Sequence, residues 1–150
     1  VYGYGKSVWA MIDLDTRHPA DILAVRGGLI TEYIETEYPC PIEKSSRVKL
    51  SVGATPIRSI DTYYNDVDIN GHINSVKYIE HVLDLWDVAW YKQHCIKRFE
   101  IAYVAESHQG DRLHFYREGR DSDTDFDVRI TKSNRDSAEV EVCRCRVQFV

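Results

Sequence analysis

One long helical pattern followed by four alternating segments constrains the fold of this 150-residue chain. Over residues 74–91, apolar side chains recur every three or four positions, which predicts one continuous amphipathic helix. The predicted apolar face consists of Val76, Ile79, Val82, Leu83, Trp86, Ala89 and Trp90. At 1.5 Å per residue such a helix would reach roughly 27 Å, enough to cross a whole sheet.

The chain after this helix reads as four β-strands separated by turn-forming residues. The predicted strands cover residues 98–107, 111–118, 125–132 and 138–150, and a further strand over residues 56–64 leads into the helix. Because short connections favour antiparallel neighbours, we expect the four strands to form a meander. The pattern therefore predicts an α+β fold in which an antiparallel sheet wraps around one long central helix.

The first third of the chain has a different character. Residues 7–14 read as a strand, residues 20–34 as a short helix interrupted by two glycines, and residues 35–44 as an acidic, proline-containing linker. The sequence does not begin with Met, and its first residues lack the pattern of a signal peptide. We therefore expect it to begin at an internal point of a longer chain.

Charge and composition argue against several functional classes. The formal net charge of −5 disfavours binding to nucleic acid, which is itself negatively charged. The sequence contains no run of 18 apolar residues, so no membrane span is expected. The four cysteines lack zinc-site spacing, so no metal site is expected. Cys143 and Cys145 lie two positions apart on a predicted strand, and we expect them to be reduced thiols on one face.

Polar chemistry is concentrated between the first predicted strand of this region and the helix. Within residues 66–72 fall two carboxylates, a carboxamide, a glycine and a histidine, namely Asp66, Asp68, Asn70, Gly71 and His72. Asn74 follows as the expected helix cap. A helix start supplies free N–H groups and a positive dipole end, so this arrangement favours a site over a purely structural turn.

The order of strand, D-x-D-x-N-G-H-x-N segment, helix and antiparallel strands resembles the hotdog thioesterases, in particular the acyl-acyl carrier protein (acyl-ACP) thioesterases of bacteria and plant plastids. In the second hotdog half of that family, a D-x-N-x-H motif is followed by Asn and a V-K-Y helix start, which residues 68–78 match. The family's E-Y-x-x-E-C strand is similar to residues 102–107. Glu106 therefore matches the family's catalytic glutamate, and Ser107 stands where the family has a cysteine once proposed as nucleophile.

The resemblance also divides the chain. Residues 1–25 would be the last strand and exit of an N-terminal hotdog half that is otherwise missing, residues 26–55 a linker, and residues 56–150 the C-terminal hotdog domain. A sheet edge without its companion half exposes backbone N–H and C=O groups that can pair with another strand, so a double hotdog or a homodimer is expected. The implied location is the bacterial cytoplasm.

The activity implied by the resemblance is hydrolysis of the thioester between a fatty acyl chain and the phosphopantetheine arm of acyl carrier protein. No cofactor is implied. Glu106 would be the base that activates a water, and His72 would share or orient that water or protonate the leaving thiolate. Asn70 would hold substrate or water, and Asp68 would orient Asn70 and His72 or stabilise positive charge on His72.

Backbone N–H groups at the helix start are the expected donors to the oxyanion of the reaction. The residues concerned are Gly71, Ile73 and Asn74. Gly71 would also let substrate come close to the backbone.

Two points stay open at the level of sequence. In hotdog enzymes resembling 4-hydroxybenzoyl-CoA thioesterase, the working aspartate lies five residues before the equivalent glycine, which selects Asp66, whereas the longer acyl-ACP family match favours Asp68. In an extended segment the two side chains would face opposite ways, one toward substrate and one into the turn. The alternative functions are an acyl-CoA thioesterase and a non-catalytic hotdog module that binds acyl chains.

Overall fold

The computed structural model describes residues 2–45, 48, 50–51, 54–134 and 138–150. The chain divides into two compact units, Val1–Lys44 and Ser45–Val150. The described part of the first unit contains one 3-10 helix, Ile22–Tyr33, which is kinked at its two glycines as the sequence predicts.

The strand predicted over residues 7–14 is wrong. In the described part of the first unit, strand pairing is limited to one isolated bridge between Ile12 and Pro19. Trp9, in the middle of the segment, is 88% exposed. A strand needs neighbouring backbone to satisfy its N–H and C=O groups, and this segment lacks such a neighbour within its own unit.

The second unit is a five-stranded antiparallel sheet with two short helices packed against one face. In chain order its elements are β1 Arg58–Asp61, α1 Ser75–Leu83, α2 Val88–Tyr91, β2 Ile96–Tyr103, β3 Arg112–Gly119, β4 Asp125–Ser133 and β5 Val140–Phe149. The five strand predictions therefore hold, with ends displaced by at most four residues.

The order of strands across the sheet, β1-β3-β4-β5-β2, corrects the predicted four-stranded meander. β3, β4 and β5 do form a meander, but β2 pairs with β5 instead of β3. Residues 104–111, the crossover loop, run past the ends of β5 and β4. Val104 donates its N–H to the Val142 carbonyl at 2.8 Å, and Lys132 Nζ donates to the Glu106 carbonyl at 2.7 Å.

The single long helix is also a wrong prediction, because the chain leaves the helical path after Leu83. The Asp87 side chain caps a new helix by accepting the N–H of Trp90 at 2.8 Å. Two arginines of the sheet donate to carbonyls in the break: Arg58 to Asp84 at 3.2 Å and Arg117 to Leu85 at 2.6 Å. Carbonyl groups just beyond the end of α1 are thus satisfied by side chains from β1 and β3.

The buried face of α1 is rotated from the predicted one. Val76, expected in the core, is 52% exposed, whereas Tyr78 and Val82 are 3% and 0% exposed. Trp86 is buried as predicted. The buried core consists of Ile73, Tyr78, Val82, Trp86, Leu113, Phe115, Val128, Ile130, Val142, Cys143, Cys145, Val147 and Phe149.

The two thiols of β5 confirm the expectation for Cys143 and Cys145. Both are free and fully buried, on the side of the sheet that carries the core. Burial raises the pKa of the Cys145 thiol to about 12.

Among the described residues, no helix has the length and apolar character needed to cross a membrane.

Candidate active site

The segment between β1 and α1, residues 66–74, forms a tight loop that we call the motif loop. The Asp68 N–H donates to the His72 carbonyl at 2.8 Å, and the Gly71 N–H donates to the Asp68 carbonyl at 3.1 Å. Gly71 lies at φ +82°, in the left-handed region that favours glycine. A glycine at this position is therefore explained by the turn itself.

The carboxylate of Asp68 holds the motif loop together from inside. Its Oδ1 accepts the backbone N–H of Asn70 at 2.8 Å and that of His72 at 3.3 Å. Asp68 thus holds the backbone of Asn70 and of His72 in place, which is a direct way to orient these two residues.

Asp66 contributes to the turn in a similar way. Its Oδ2 accepts the N–H of Tyr63 at 2.8 Å, and its carbonyl accepts the N–H of Asn74, also at 2.8 Å. Both carboxylates thus accept backbone N–H groups, and residues 64–66 form a short 3-10 helix. Which of the two aspartates faces substrate stays a prediction.

The crossover loop brings Glu106 close to His72 of the motif loop. Glu106 Oε2 lies 3.4 Å from Nε2 of His72, although the two residues are 34 positions apart in sequence. The side chains are 31% exposed for His72 and 52% for Glu106. The predicted approach of the imidazole and the carboxylate is confirmed, and both remain open to water.

A backbone hydrogen bond fixes the relative position of the two loops. Ile73 donates its N–H to the Ser107 carbonyl at 2.8 Å. Both residues are buried, with exposures of 5% and 0%. The bond lies one residue beyond His72 on one side and one residue beyond Glu106 on the other.

The same hydrogen bonds correct the predicted oxyanion donors. The N–H groups of Gly71, Ile73 and Asn74 already donate to the carbonyls of Asp68, Ser107 and Asp66. Donors committed inside the protein are not available to a substrate oxygen. Asn74 instead caps α1 as expected, with Oδ1 accepting the Val76 N–H at 3.0 Å.

Asn70 differs from its neighbours in the motif loop. Its backbone N–H is bound by Asp68, yet the residue is exposed. Among the residues that the structure describes, none forms a hydrogen bond with its side-chain amide. Asn70 therefore presents a neutral donor and acceptor to the solvent beside His72.

The hydroxyl of Ser107 lies beneath the site. Ser107 is fully buried, and its hydroxyl and that of Tyr78 lie close together without forming a well-aligned hydrogen bond. Burial raises the pKa of Tyr78 to about 12, an effect that the nearby Ser107 hydroxyl opposes. A side chain sealed from solvent in this way is poorly placed to attack a substrate.

Within the described part of the chain, no group of three His, Cys, Asp or Glu side chains could hold a metal ion.

Comparison with known proteins shows which family this chain resembles. Residues 51–149 match the acyl-ACP thioesterase C-terminal domain. The chain belongs to the acyl-ACP thioesterase family. Its sheet and helices accordingly form the hotdog fold that the resemblance implies.

Acyl-ACP thioesterases are also among its relatives of known sequence or structure. An acyl-ACP thioesterase from Bacteroides thetaiotaomicron VPI-5482 shares 45% identity and a TM-score of 0.79, over 93% of this chain and 53% of that one. The 12:0-ACP thioesterase from Umbellularia californica shares the fold at 21% identity and a TM-score of 0.70, over 93% and 52%. The chloroplastic palmitoyl-acyl carrier protein thioesterase of Gossypium hirsutum is 27% identical over 131 residues, 85% of this chain and 32% of that protein. The chain thus spans about half the length of the two solved structures and about a third of the curated relative.

One residue at the site of this acyl-ACP thioesterase family member was missed by the sequence analysis. The ring of His108 lies 5.1 Å from that of His72, centroid to centroid, at an interplanar angle of 82°. Sequence patterning placed His108 in a turn. Its spacing of two from Glu106 is the signal that would have found it, because alternate residues of an extended segment share a side.

Proposed function

We propose that this chain carries catalytic residues for the hydrolysis of acyl-ACP thioesters, giving a free fatty acid and the thiol of the carrier's phosphopantetheine arm. The observation that supports the proposal most is the 3.4 Å approach of His72 Nε2 to Glu106 Oε2. It occurs in a chain of the acyl-ACP thioesterase family, between two residues that match the family's motifs.

Glu106 acts as the general base in this proposal. Its carboxylate takes a proton from a water molecule while the water oxygen bonds to the thioester carbonyl carbon. The tetrahedral intermediate then collapses and the carbon–sulfur bond breaks. The proton taken up by Glu106 passes to His72 across the 3.4 Å between them, and His72 delivers it to the leaving thiolate, so both groups return to their starting states. The partial exposure of both side chains supports this scheme, because a water molecule can reach them from solvent.

Asn70 binds the substrate carbonyl oxygen or the attacking water through its amide. This role passes to a side chain because the backbone donors of Gly71, Ile73 and Asn74 are committed within the protein. Asp68 holds Asn70 and His72 in place through their N–H groups. Asp66 acts as a turn residue rather than as a group that faces substrate.

The proposal extends to partners and setting. The partners are acyl carrier protein and its fatty acyl chain, in fatty acid biosynthesis in the bacterial cytoplasm. Residues 1–25 belong to an N-terminal hotdog half and residues 26–55 to a linker before the domain at 56–150. β1 and β2 are the edge strands of the sheet that the structure describes, which supports assembly as a double hotdog or a homodimer, since an edge strand favours further pairing.

The test is steady-state hydrolysis by the intact protein of matched acyl-ACP and acyl-CoA substrates. Wild-type kcat/KM should be higher on acyl-ACP, and Glu106→Gln should lower kcat by about 100-fold or more, the usual contribution of a general base. Glu80→Gln is the matched control, because Glu80 lies on α1 in a surface ion pair with Lys77. Its kcat should equal that of wild type.

Each rival function predicts a different outcome of this comparison. Faster turnover of acyl-CoA would identify an acyl-CoA thioesterase. Tight binding of acyl chains without hydrolysis of either substrate would identify a non-catalytic module. Near-normal kcat in Glu106→Gln would remove the assigned base.

A further inference from the structure

A second histidine shares the site with His72, and neither the family motif nor the proposed mechanism assigns it a role. His108 follows Glu106 by two residues in the crossover loop. Its ring meets that of His72 edge to face, at 5.1 Å and 82°. Edge-to-face contact is the favoured geometry of an aromatic pair at this separation, so the arrangement is an attractive contact.

The backbone of His108 is anchored at both its N–H group and its carbonyl group. Its N–H donates to Asp111 Oδ2 at 3.0 Å, and its carbonyl accepts the hydroxyl of Thr62 at 3.0 Å. Thr62 is 4% exposed and also binds the N–H of Gly110 at 3.0 Å. The ring of His108 is therefore carried by a fixed backbone, even though the residue itself is exposed.

Lys132 links Asp111, which binds the His108 N–H, to Glu106, the proposed general base. Its ammonium group lies 3.4 Å from Asp111 Oδ2 and donates to the Glu106 carbonyl at 2.7 Å. The same lysine of β4 thus holds both the residue that binds the His108 N–H and the backbone of Glu106. His108 and Glu106 are consequently fixed to one another as well as to the sheet.

The ring of His72 needs such a support. The χ2 torsion of histidine is broad, so the rotamer alone does not fix the plane of the imidazole. The Glu106 carboxylate constrains one atom of the ring, Nε2. An aromatic edge against the ring opposes the rotation that would take Nε2 away from Glu106.

We propose that His108 is a positioning residue for His72, which keeps the imidazole of His72 in the plane that Glu106 and the substrate require. The inference rests on the proposed function. It assigns to His108 a role through its ring alone, so another aromatic ring should replace it.

The test compares His108→Ala with His108→Phe in the intact protein. His108→Ala should lower kcat on acyl-ACP by about three- to tenfold, the factor that corresponds to an aromatic pair, with KM little changed. His108→Phe should restore most of the loss. His94→Ala is the matched control, because His94 also stacks on an aromatic ring, that of Trp90 at 3.8 Å, but does so beyond α2.

A measurement without substrate separates this inference from the proposed function. The imidazole C–H resonances of His72 in an NMR spectrum should shift in His108→Ala, through loss of the neighbouring ring current, and shift less in His108→Phe. Unchanged His72 resonances in His108→Ala would overturn the ring contact. Unchanged kcat in that variant, or equal losses in Ala and Phe, would overturn the positioning role. Absence of hydrolysis in wild type would instead overturn the proposed function.

Discussion

The backbone N–H of Ile73 donates to the carbonyl oxygen of Ser107 at 2.8 Å, and this bond ties the motif loop to the crossover loop. Each of the two residues directly follows a member of the proposed catalytic pair. Because the bond joins backbone atoms in a buried place, the approach of the two loops depends on the path of the chain.

Asp68 should tolerate an isosteric change but not truncation. Asp68→Asn keeps an oxygen that accepts the N–H groups of Asn70 and His72, so we expect kcat within about threefold of wild type. Asp68→Ala leaves both groups without their acceptor and should lower kcat by about tenfold or more. Steady-state kinetics checks both variants. A large loss of kcat in Asp68→Asn would show that the charge of Asp68 acts directly, for example on His72.

Ser107 should be dispensable as a hydroxyl. Its side chain is fully buried and forms no well-aligned hydrogen bond within the described structure. Ser107→Ala keeps the carbonyl that binds Ile73, so kcat should stay within about twofold of wild type and the free energy of unfolding within about 1 kcal/mol. A loss of activity as large as that of Glu106→Gln would point instead to a nucleophilic serine.

Local patterns in the sequence predict much of this fold. Rules that act over a few residues predict the alternation of the strands and the cap at Asn74. They also predict that Cys143 and Cys145 lie on the same face of a strand. The Glu106 match to the family motif then predicted the partner of His72, and the structure brings the two side chains together.

The errors arise where distant residues decide the local structure. The helix break after Leu83 is stabilised by Arg58 and Arg117, which come from strands far away in sequence. The pairing of β2 with β5 depends on a crossover that no local pattern encodes. Tyr78 is buried where Val76 was expected, because the predicted apolar face left out tyrosine, whose ring is a large apolar body.

Arg117 should stabilise the break between α1 and α2. It donates to the Leu85 carbonyl at 2.6 Å, and its guanidinium lies 5.1 Å from the centroid of the Trp86 ring. We expect Arg117→Met to lower the free energy of unfolding by about 1–3 kcal/mol, measured by urea denaturation. The control is Arg112→Met. Arg112 pairs with Asp61 where both side chains are 54% exposed, so the loss should be below about 1 kcal/mol. Equal losses in the two variants would contradict a special role for Arg117.

His81 should make stability depend on pH. Burial lowers its pKa below the ordinary value of 6.5. The negative charges of Asp66, Asp84 and Glu80 oppose this effect without reversing it, and the positive charge of Arg58 adds to it. As the pH falls through 6.5, the unfolded chain takes up a proton that the folded chain does not, so the free energy of unfolding decreases. The stabilising effect of the neutral imidazole is thus present above that pH and is lost below it.

The measurement is urea denaturation of wild type and His81→Leu at about pH 7.5 and about pH 5.5. Wild type should lose more of its free energy of unfolding on acidification than the variant does, because His81→Leu has no imidazole to protonate. An equal loss in the two proteins would contradict the buried, neutral state of His81.

A double-mutant cycle on Glu106 and His72 tests the catalytic pair most directly. Glu106→Gln and His72→Gln should each lower kcat for acyl-ACP hydrolysis by about 100-fold or more. If the two groups act as a unit, the double variant should fall no more than about threefold below the slower single variant. A double variant whose loss equals the product of the two single losses, or a single variant with near-normal turnover, would contradict the pair.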